Sequence, residues 1–230
     1  MHREGIIFDL DGTLLDTLAD IAAAMNRVLR EHGLPEHETD DYLDKVGWGL
    51  EELVRRSLPP EKQDPLYLAR CYEELRCAYE SDPVEHTRPY DGVCELLDRL
   101  REERVALAVL SNKHDDLVRT IVAEVFSEAY FSVVRGAREG APKKPDPEVA
   151  CEIADSWGVA PAQIVLLGDS PIDVETARAA GMTAAAVTWG FSTREQLVRT
   201  SPDVLIDTPN DILSWFDFGR SHRRVMEGNQ

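Results

Sequence analysis

The run Gly5-Ile6-Ile7-Phe8-Asp9-Leu10-Asp11-Gly12-Thr13-Leu14 carries an apolar strand straight into two carboxylates separated by one spacer. On an extended backbone, side chains two apart point to the same side, about 7 Å apart along the strand. Two carboxylates aimed together repel at neutral pH unless a cation or a shared proton lies between them. A strand ending in such a pair offers a metal site, and catalysis is the simplest reason to keep one. Asp and Gly after a strand are also ordinary turn chemistry, so the run acquires its meaning only from the rest of the chain.

Further short apolar, mostly β-branched runs occupy 105–110, 130–134, 164–167, 183–187 and 204–206. Between most of them lie helical patterns: 93–101, with Val93, Leu96, Leu97 and Leu100 on one face, then 147–157 and 174–180. Strands alternating with helices of this length predict an α/β fold whose mainly parallel sheet is covered on both faces. Its ligand belongs at the carboxyl ends of the strands.

One interval breaks this rhythm. Between Thr17 and Pro83 there is only helical periodicity, at 20–30 (Ile21, Ala24, Met25, Val28 and Leu29), 50–58 and 66–80. Gly33-Leu34-Pro35 and Leu58-Pro59-Pro60 punctuate it. The expectation is an all-helical cap, 17–83, inserted into a core of 1–16 and 84–220, with hinges near 15–17 and 82–89 and a frayed polar tail at 221–230. A continuous helical face of a single domain is the alternative.

The 230 residues suffice for a full core, and the formal net charge of −18 argues against a nucleic-acid surface. A phosphorylated substrate would have to be attracted locally, against that field; a bound cation does so. No run approaches 18 uninterrupted apolar residues, and Met1-His2-Arg3-Glu4 leads directly into the first strand, so neither a membrane span nor a signal peptide is expected. Cys71, Cys77, Cys94 and Cys151 show no CxxC or zinc spacing and read as small, partly buried apolar residues of a reduced cytoplasm.

Three more polar clusters come after apolar runs. Ser111-Asn112-Lys113 closes the second strand just before a helix that begins near His114, where a hydroxyl and free N–H groups make either an anion cradle or a helix cap. Lys143-Lys144-Pro145-Asp146-Pro147 sets a lysine before a rigid turn that opens a helix, which would aim its ammonium or leave it solvated. Gly168-Asp169-Ser170-Pro171-Ile172-Asp173 puts one carboxylate at a strand end and a second in the first turn of a helix, a position that capping alone would favour. Capping does not explain the ordered repetition of such clusters at successive strand ends.

This ordered set resembles the four motifs of the haloacid-dehalogenase-like hydrolase superfamily, over nearly the whole chain to about Trp215. The resemblance implies a Rossmann-like core and, for the phosphatases of the superfamily, Mg²⁺ and an aspartyl-phosphate. Carried over, Asp9 would be the nucleophile and a metal ligand. Asp11 would be the general acid/base, with its backbone carbonyl on the metal. Gly12, Thr13, Ser111 and Asn112 would hold the phosphoryl group. Lys144, rather than Lys143, would neutralise nucleophile and phosphate, and Asp169 and Asp173 would complete the metal shell, Asp173 directly or through water.

Within the superfamily the sequence is most similar to bacterial phosphoglycolate phosphatases. The likeness rests on Phe8 through Ile21, on Val46-Gly47-Trp48-Gly49-Leu50, on Lys144-Pro145-Asp146-Pro147 and on Thr188-Trp189-Gly190-Phe191. It implies hydrolysis of a small phosphorylated metabolite, with monomer and homodimer both open. Trp48 is either a lid over the substrate or a packed tryptophan in a helix-breaking turn. Lys45, Arg55 and Arg56 would greet a substrate carboxylate or stay solvated.

Phosphate-monoester hydrolysis is among the slowest uncatalysed reactions and requires roughly 20 kcal/mol of barrier reduction or more. A cation and Lys144 would let a dianion approach three carboxylates. Rival activities on such a scaffold are a dehalogenase, which would not need Asp11, Asp169 and Asp173; a β-phosphoglucomutase-like isomerase, which would want a basic group where Gly-Trp-Gly-Leu stands; a pyrophosphatase or nucleotidase; and a catalytically silent binding protein.

Overall fold

The computed structural model describes residues 4–126 and 130–215; the expected tail at 221–230 and the ends of the expected core lie outside the described residues. In chain order, β1 (Gly5–Phe8) and β2 (Leu15–Asp16) precede three helices, α1 (Leu18–Glu31), α2 (Leu50–Ser57) and α3 (Pro65–Ser81). β3 (Arg88–Pro89) and α4 (Val93–Glu102) come next, then β4 (Ala106–His114), α5 (Asp115–Val125), β5 (Val133–Ala137), α6 (Glu148–Trp157), β6 (Ile164–Gly168), α7 (Pro171–Ala179), β7 (Thr183–Val187), α8 (Arg194–Arg199) and β8 (Val204–Ile206).

Six strands make one parallel sheet in the order β5-β4-β1-β6-β7-β8. Alternation along each strand divides its side chains between two apolar layers. Ile6 and Phe8 of β1, Leu107 and Val109 of β4, and Val165 and Leu167 of β6 join the layer that holds the buried faces of α4 and α5. Ile7, Ala108, Leu110 and Leu166 join the layer under α6 and α7, with Ala150, Ile153, Ala154 and Ala177. A strand buried on both faces has no polar side, which is why these runs read as continuous apolar stretches. The expected α/β class and parallel sheet are observed.

The helical segment α1–α3 shares the first layer through Ile21, Met25, Val28, Leu29, Leu53 and Leu75, and α1 and α2 both pack on α3. The chain enters and leaves it through an antiparallel ribbon, Leu15 opposite Pro89 and Asp16 opposite Arg88. Buried Asp20, in the first turn of α1, accepts bonds from the His86 and Thr87 amides and the Thr87 hydroxyl. Both crossings are thereby tied together.

Three local expectations change. Strand β4 runs on through Ser111, Asn112 and Lys113, so that cluster lies within the strand, past a register irregularity after Leu110. The strand expected at 130–134 begins at Val133; Tyr130 and Phe131 instead form edge-to-face contacts with Phe126. Cys71 is buried and Cys151 half-buried, but Cys77 and Cys94 are exposed, contrary to the reading of all four as partly buried.

Candidate active site

Asp9 comes directly after the last residue of β1, where its amide still bonds the Leu167 carbonyl of β6, so the two strand ends are held level. Asp169 stands just past the end of β6, and Asp173 sits in the first turn of α7. Carboxylate oxygens of Asp9, Asp169 and Asp173 all lie within 4.8 Å of one another, and all three residues are buried. Lys144, from the loop before α6, places Nζ 2.9 Å from Asp9 Oδ1 and 2.7 Å from Asp173 Oδ1. The structure thus unites four of the residues singled out in the sequence.

The carboxylates are crowded. Burial raises Asp9 well above the usual range; the Lys144 charge opposes this, and Asp173 and Asp169 reinforce it. Burial, then Asp173, pushes Asp169 up to about 7, against bonds from the Phe191 amide and the Thr13 hydroxyl. Burial works against the Lys144 charge, yet Asp173 and Asp9 hold its pKa above the ordinary lysine value. Three facing carboxylates and one ammonium leave a deficit of positive charge. Oxygen-only donors with such a deficit suit a hard divalent cation. Asp173 presents Oδ1, which accepts from Lys144 Nζ, to this set, while its Oδ2 accepts from Ser170 N and Oγ as a helix cap.

Three glycines at the site are required by close approach, and a Cβ on Gly168 would stand 2.1 Å from Asp173 Cγ. Gly12 has φ +81°, and a Cβ there would stand 2.3 Å from Asp169 Oδ2. A Cβ on Gly190 would stand 2.2 Å from the Gly12 carbonyl and 2.3 Å from Asp169 Cβ. Here the loop after β7 presses on the first motif: Phe191 N donates to Asp169 Oδ2 at 2.8 Å, and Trp189 Nε1 to the Thr13 carbonyl at 3.1 Å.

The Asp11 side chain is turned elsewhere. Its Oδ1 accepts from Thr17 Oγ1 and from Lys113 Nζ, both at 2.6 Å. Lys113 is buried and also donates to Tyr79 OH of α3 at 2.7 Å. Burial opposes its charge, but Asp11 and Tyr79 push its pKa up to about 12. Sequence reasoning passes over Lys113, Thr17 and Tyr79. Only the position of Lys113 beside Asn112 hints at the first, because its partners are remote in the chain.

The remaining candidates divide. Thr13 Oγ1 donates to Asp169 Oδ1 at 3.1 Å. Ser111 is buried, and its Oγ accepts from Lys113 N. Asn112 Nδ2 bonds the Gly47 and Lys144 carbonyls, whereas its Oδ1 is buried without a hydrogen-bond partner among the described residues. A small pocket of about 30 Å³ lies over Asp9, Asp11 and Ser111 and is lined also by Ile21, Val46 and Leu53. Gly49, Leu50 and Asn112 are common to it and to a cavity of about 480 Å³ between α3 and the loop after β5, lined also by Arg76, His114, Arg138 and Lys143.

Trp48 lines neither cavity. It is 40% exposed, with the Arg56 guanidinium over its ring. Arg55 and Arg56 pair with Glu52, and Lys45 reaches the Asp41 carbonyl. Lys143, from the loop before α6, bonds the Trp48 carbonyl at 3.3 Å and so links that loop to the turn before α2.

Comparison with known proteins gives the family. The family model described as haloacid dehalogenase-like hydrolase matches residues 6–187. The chain is 31% identical to a phosphoglycolate phosphatase of Aquifex aeolicus, over 92% of this chain and 96% of that one. It is 33% identical to a phosphoglycolate phosphatase of Synechococcus elongatus, covering 91% and 95%. A crystal structure described as a predicted phosphoglycolate phosphatase from Haemophilus somnus superposes with a TM-score of 0.84 at 26% identity, covering 94% of this chain and 98% of that one. The match extends through both strand-end carboxylates and the Lys144 loop, and the chain therefore belongs to the haloacid dehalogenase-like hydrolase family.

Proposed function

We propose that this chain is a magnesium-dependent phosphatase acting on a small phosphate monoester, 2-phosphoglycolate first, through an aspartyl-phosphate on Asp9. The observation that carries the reading is the convergence of buried Asp9, Asp169 and Asp173 around a single lysine. The phosphoglycolate phosphatases among its relatives support the choice of substrate. Asp9, Asp169, Asp173 and the Asp11 carbonyl would hold Mg²⁺, which would supply Lewis-acid stabilisation of charge on the phosphoryl oxygens. We further read 17–83 as a cap on a core of 1–16 and 84–220, working in the cytoplasm.

In the first step an Asp9 oxygen attacks phosphorus, the ester P–O bond breaks, and Asp11 gives its proton to the leaving alkoxide. In the second, Asp11 takes a proton from water as the water oxygen attacks phosphorus, freeing Asp9 and inorganic phosphate. Lys144 offsets charge on Asp9 and on the transferring group; Gly12, Thr13, Ser111 and Asn112 orient that group. On the cap reading, α1 and α2 would move to admit the ester, with the two-stranded ribbon as the pivot.

A second reading has its own observation. The neighbouring 480 Å³ cavity, with Asn112 Oδ1 and His114 Nδ1 on its lining residues unpartnered among the described residues, is larger than a two-carbon leaving group needs and favours a nucleotide or other bulky ester. Phosphate release measured with Mg²⁺ across a panel of small esters and nucleotides separates the two. The expected result is a preference of tenfold or more for 2-phosphoglycolate, abolished by chelator. Failure to hydrolyse any ester would end the phosphatase reading.

A further inference from the structure

The helical segment holds a second group of ligand-type side chains, remote from the strand ends. His32 follows the last residue of α1, and Tyr67, Cys71 and Glu74 share one face of α3, at i, i+4 and i+7. Helices α1 and α3 pack together, so the end of one meets the middle of the other. A ring nitrogen of His32, the Cys71 sulfur and a Glu74 oxygen all lie within 4.8 Å of one another. Cys71 is fully buried, and the His32 and Glu74 side chains are 9% and 30% exposed. The imidazole is held at both edges: Nε2 stands 2.5 Å from Glu74 Oε2, and Nδ1 2.7 Å from Tyr67 OH. Arg70 Nε donates to Glu74 Oε1 at 2.8 Å. No spacing rule finds this group, since His32 and Glu74 are 42 positions apart.

We propose that His32, Cys71 and Glu74 bind a zinc ion that clasps the end of α1 to α3, with water as its fourth ligand on the exposed side of Glu74. Thiolate, imidazole and carboxylate together suit Zn²⁺, whereas Mg²⁺ takes oxygen ligands. Bonds of about 2.0–2.3 Å in a tetrahedron put ligand atoms about 3.3–3.8 Å apart. The three residues already crowd toward that spacing, and an ion entering between His32 and Glu74 parts them by about 1 Å. Thiolate and carboxylate cancel the charge of the ion, so a mostly buried site stays neutral, and the Cys71 proton leaves to solvent. Tyr67 and Arg70 hold the ring and the carboxylate from behind, as the outer partners of a metal site do. His32 lies at the opposite end of α1 from Thr17, roughly 21 Å of helix away. This site is therefore separate from the Asp9 set and does not depend on the phosphatase reading.

The test titrates Co²⁺, a coloured stand-in for zinc, into the full chain with Mg²⁺ in excess. Wild type should develop a thiolate-to-cobalt charge-transfer band in the near ultraviolet that saturates at one equivalent and is bleached by Zn²⁺. Only thiolate ligation gives this band, so cobalt at Asp9, Asp169 and Asp173 does not contribute. The band should survive in Cys77→Ser/Cys94→Ser, which removes the two exposed thiols, and vanish in Cys71→Ala. His32→Gln and Glu74→Gln should each weaken cobalt binding at least about tenfold. No band in wild type, or a band that persists in Cys71→Ala, would overturn the proposal and leave the cluster as a hydrogen-bonded contact between two helices. If Cys71→Ala does not fold, the two glutamine variants decide: cobalt affinity within about threefold of wild type in either one overturns the site. No arm reads phosphate release, so the outcome stands whether or not the chain hydrolyses an ester.

Discussion

Removing the Lys144 ammonium tests the charge balance of the site directly. In Lys144→Met the side chain keeps its length and apolar stem but loses the group that stands 2.9 Å from Asp9 and 2.7 Å from Asp173. Taking one partner from a buried ion pair typically costs ~3–5 kcal/mol, because the other charge is left unpaired. Without a metal, the variant should therefore unfold in urea with ~3–5 kcal/mol less stability than the wild type. Mg²⁺ shares those carboxylates and should recover part of the loss; at 100 times its dissociation constant, linkage contributes about 2.7 kcal/mol. Activity should not recover with it. A fixed cation aimed at transition-state charge is worth about 2.7–4 kcal/mol, so kcat should fall about 10²–10³-fold even at saturating Mg²⁺. Urea titrations in chelator and in Mg²⁺, with phosphate release measured in the same buffers, give all three numbers. A stability change below about 1 kcal/mol in chelator, or a kcat within about threefold of wild type, would refute the argument that Lys144 is the counter-charge of the three carboxylates.

Asp9→Asn should abolish turnover and, by removing a carboxylate that burial above all, and then Asp173 and Asp169, hold above its usual range, raise the Tm of the metal-free protein; residual activity of a few per cent would remove Asp9 as nucleophile. Gly12→Ala changes no functional side chain, yet its Cβ would meet Asp169 Oδ2 at 2.3 Å and its φ of +81° adds about 1–2 kcal/mol of strain. It should weaken Mg²⁺ binding at least tenfold by calorimetry, and unchanged affinity would show that Asp169 is not held where this contact implies. Asp169 near 7 in the fold, against about 4 in the unfolded chain, means that the folded metal-free protein keeps a proton the unfolded chain has lost. Its stability should fall as pH rises through that window, by up to ~4 kcal/mol, and level off above it. Magnesium displaces that proton, so the Tm gain on adding it should be larger at about pH 8 than at about pH 5.5; equal gains would count against Asp169 as a ligand.

The parallel sheet was legible because its central strands are apolar on both faces, which few other elements are. What could not be read was set by partners remote in the chain. Tyr130 and Phe131 have the β propensity expected of a strand, yet they serve an aromatic cluster with Phe126, and the strand starts at Val133. β2 and β3 are two residues each, and Pro89 gives no strand signal; their pairing depends on the helical segment returning the chain to its point of departure. Asp9, Asp169, Asp173 and Lys144 were legible as types at strand ends and turns, and their convergence agrees with the α/β rule on ligand position. Lys113 was not, because nothing in Ser-Asn-Lys tells that its ammonium meets residues 102 and 34 positions away.

Lys113 bears on how one Asp-x-Asp run can supply two chemistries. Asp9 and Asp11 are two residues apart, and a pair aimed into one space would share one environment. The fold gives each its own buried lysine instead. Lys144 groups Asp9 with Asp173, and Asp169 faces the same space, so this set is suited to a cation and to nucleophilic attack. Lys113 and Thr17 draw the Asp11 side chain away from that set, toward Tyr79 and the helical segment. Carboxylates whose neighbours differ take different roles, as in other sites where one acts as acid and another as nucleophile. On the proposed phosphatase reading Asp11 takes the proton-transferring role, so Lys113→Met should leave Mg²⁺ affinity by calorimetry unchanged and lower turnover of an alkyl phosphate; unchanged turnover would refute that division of labour.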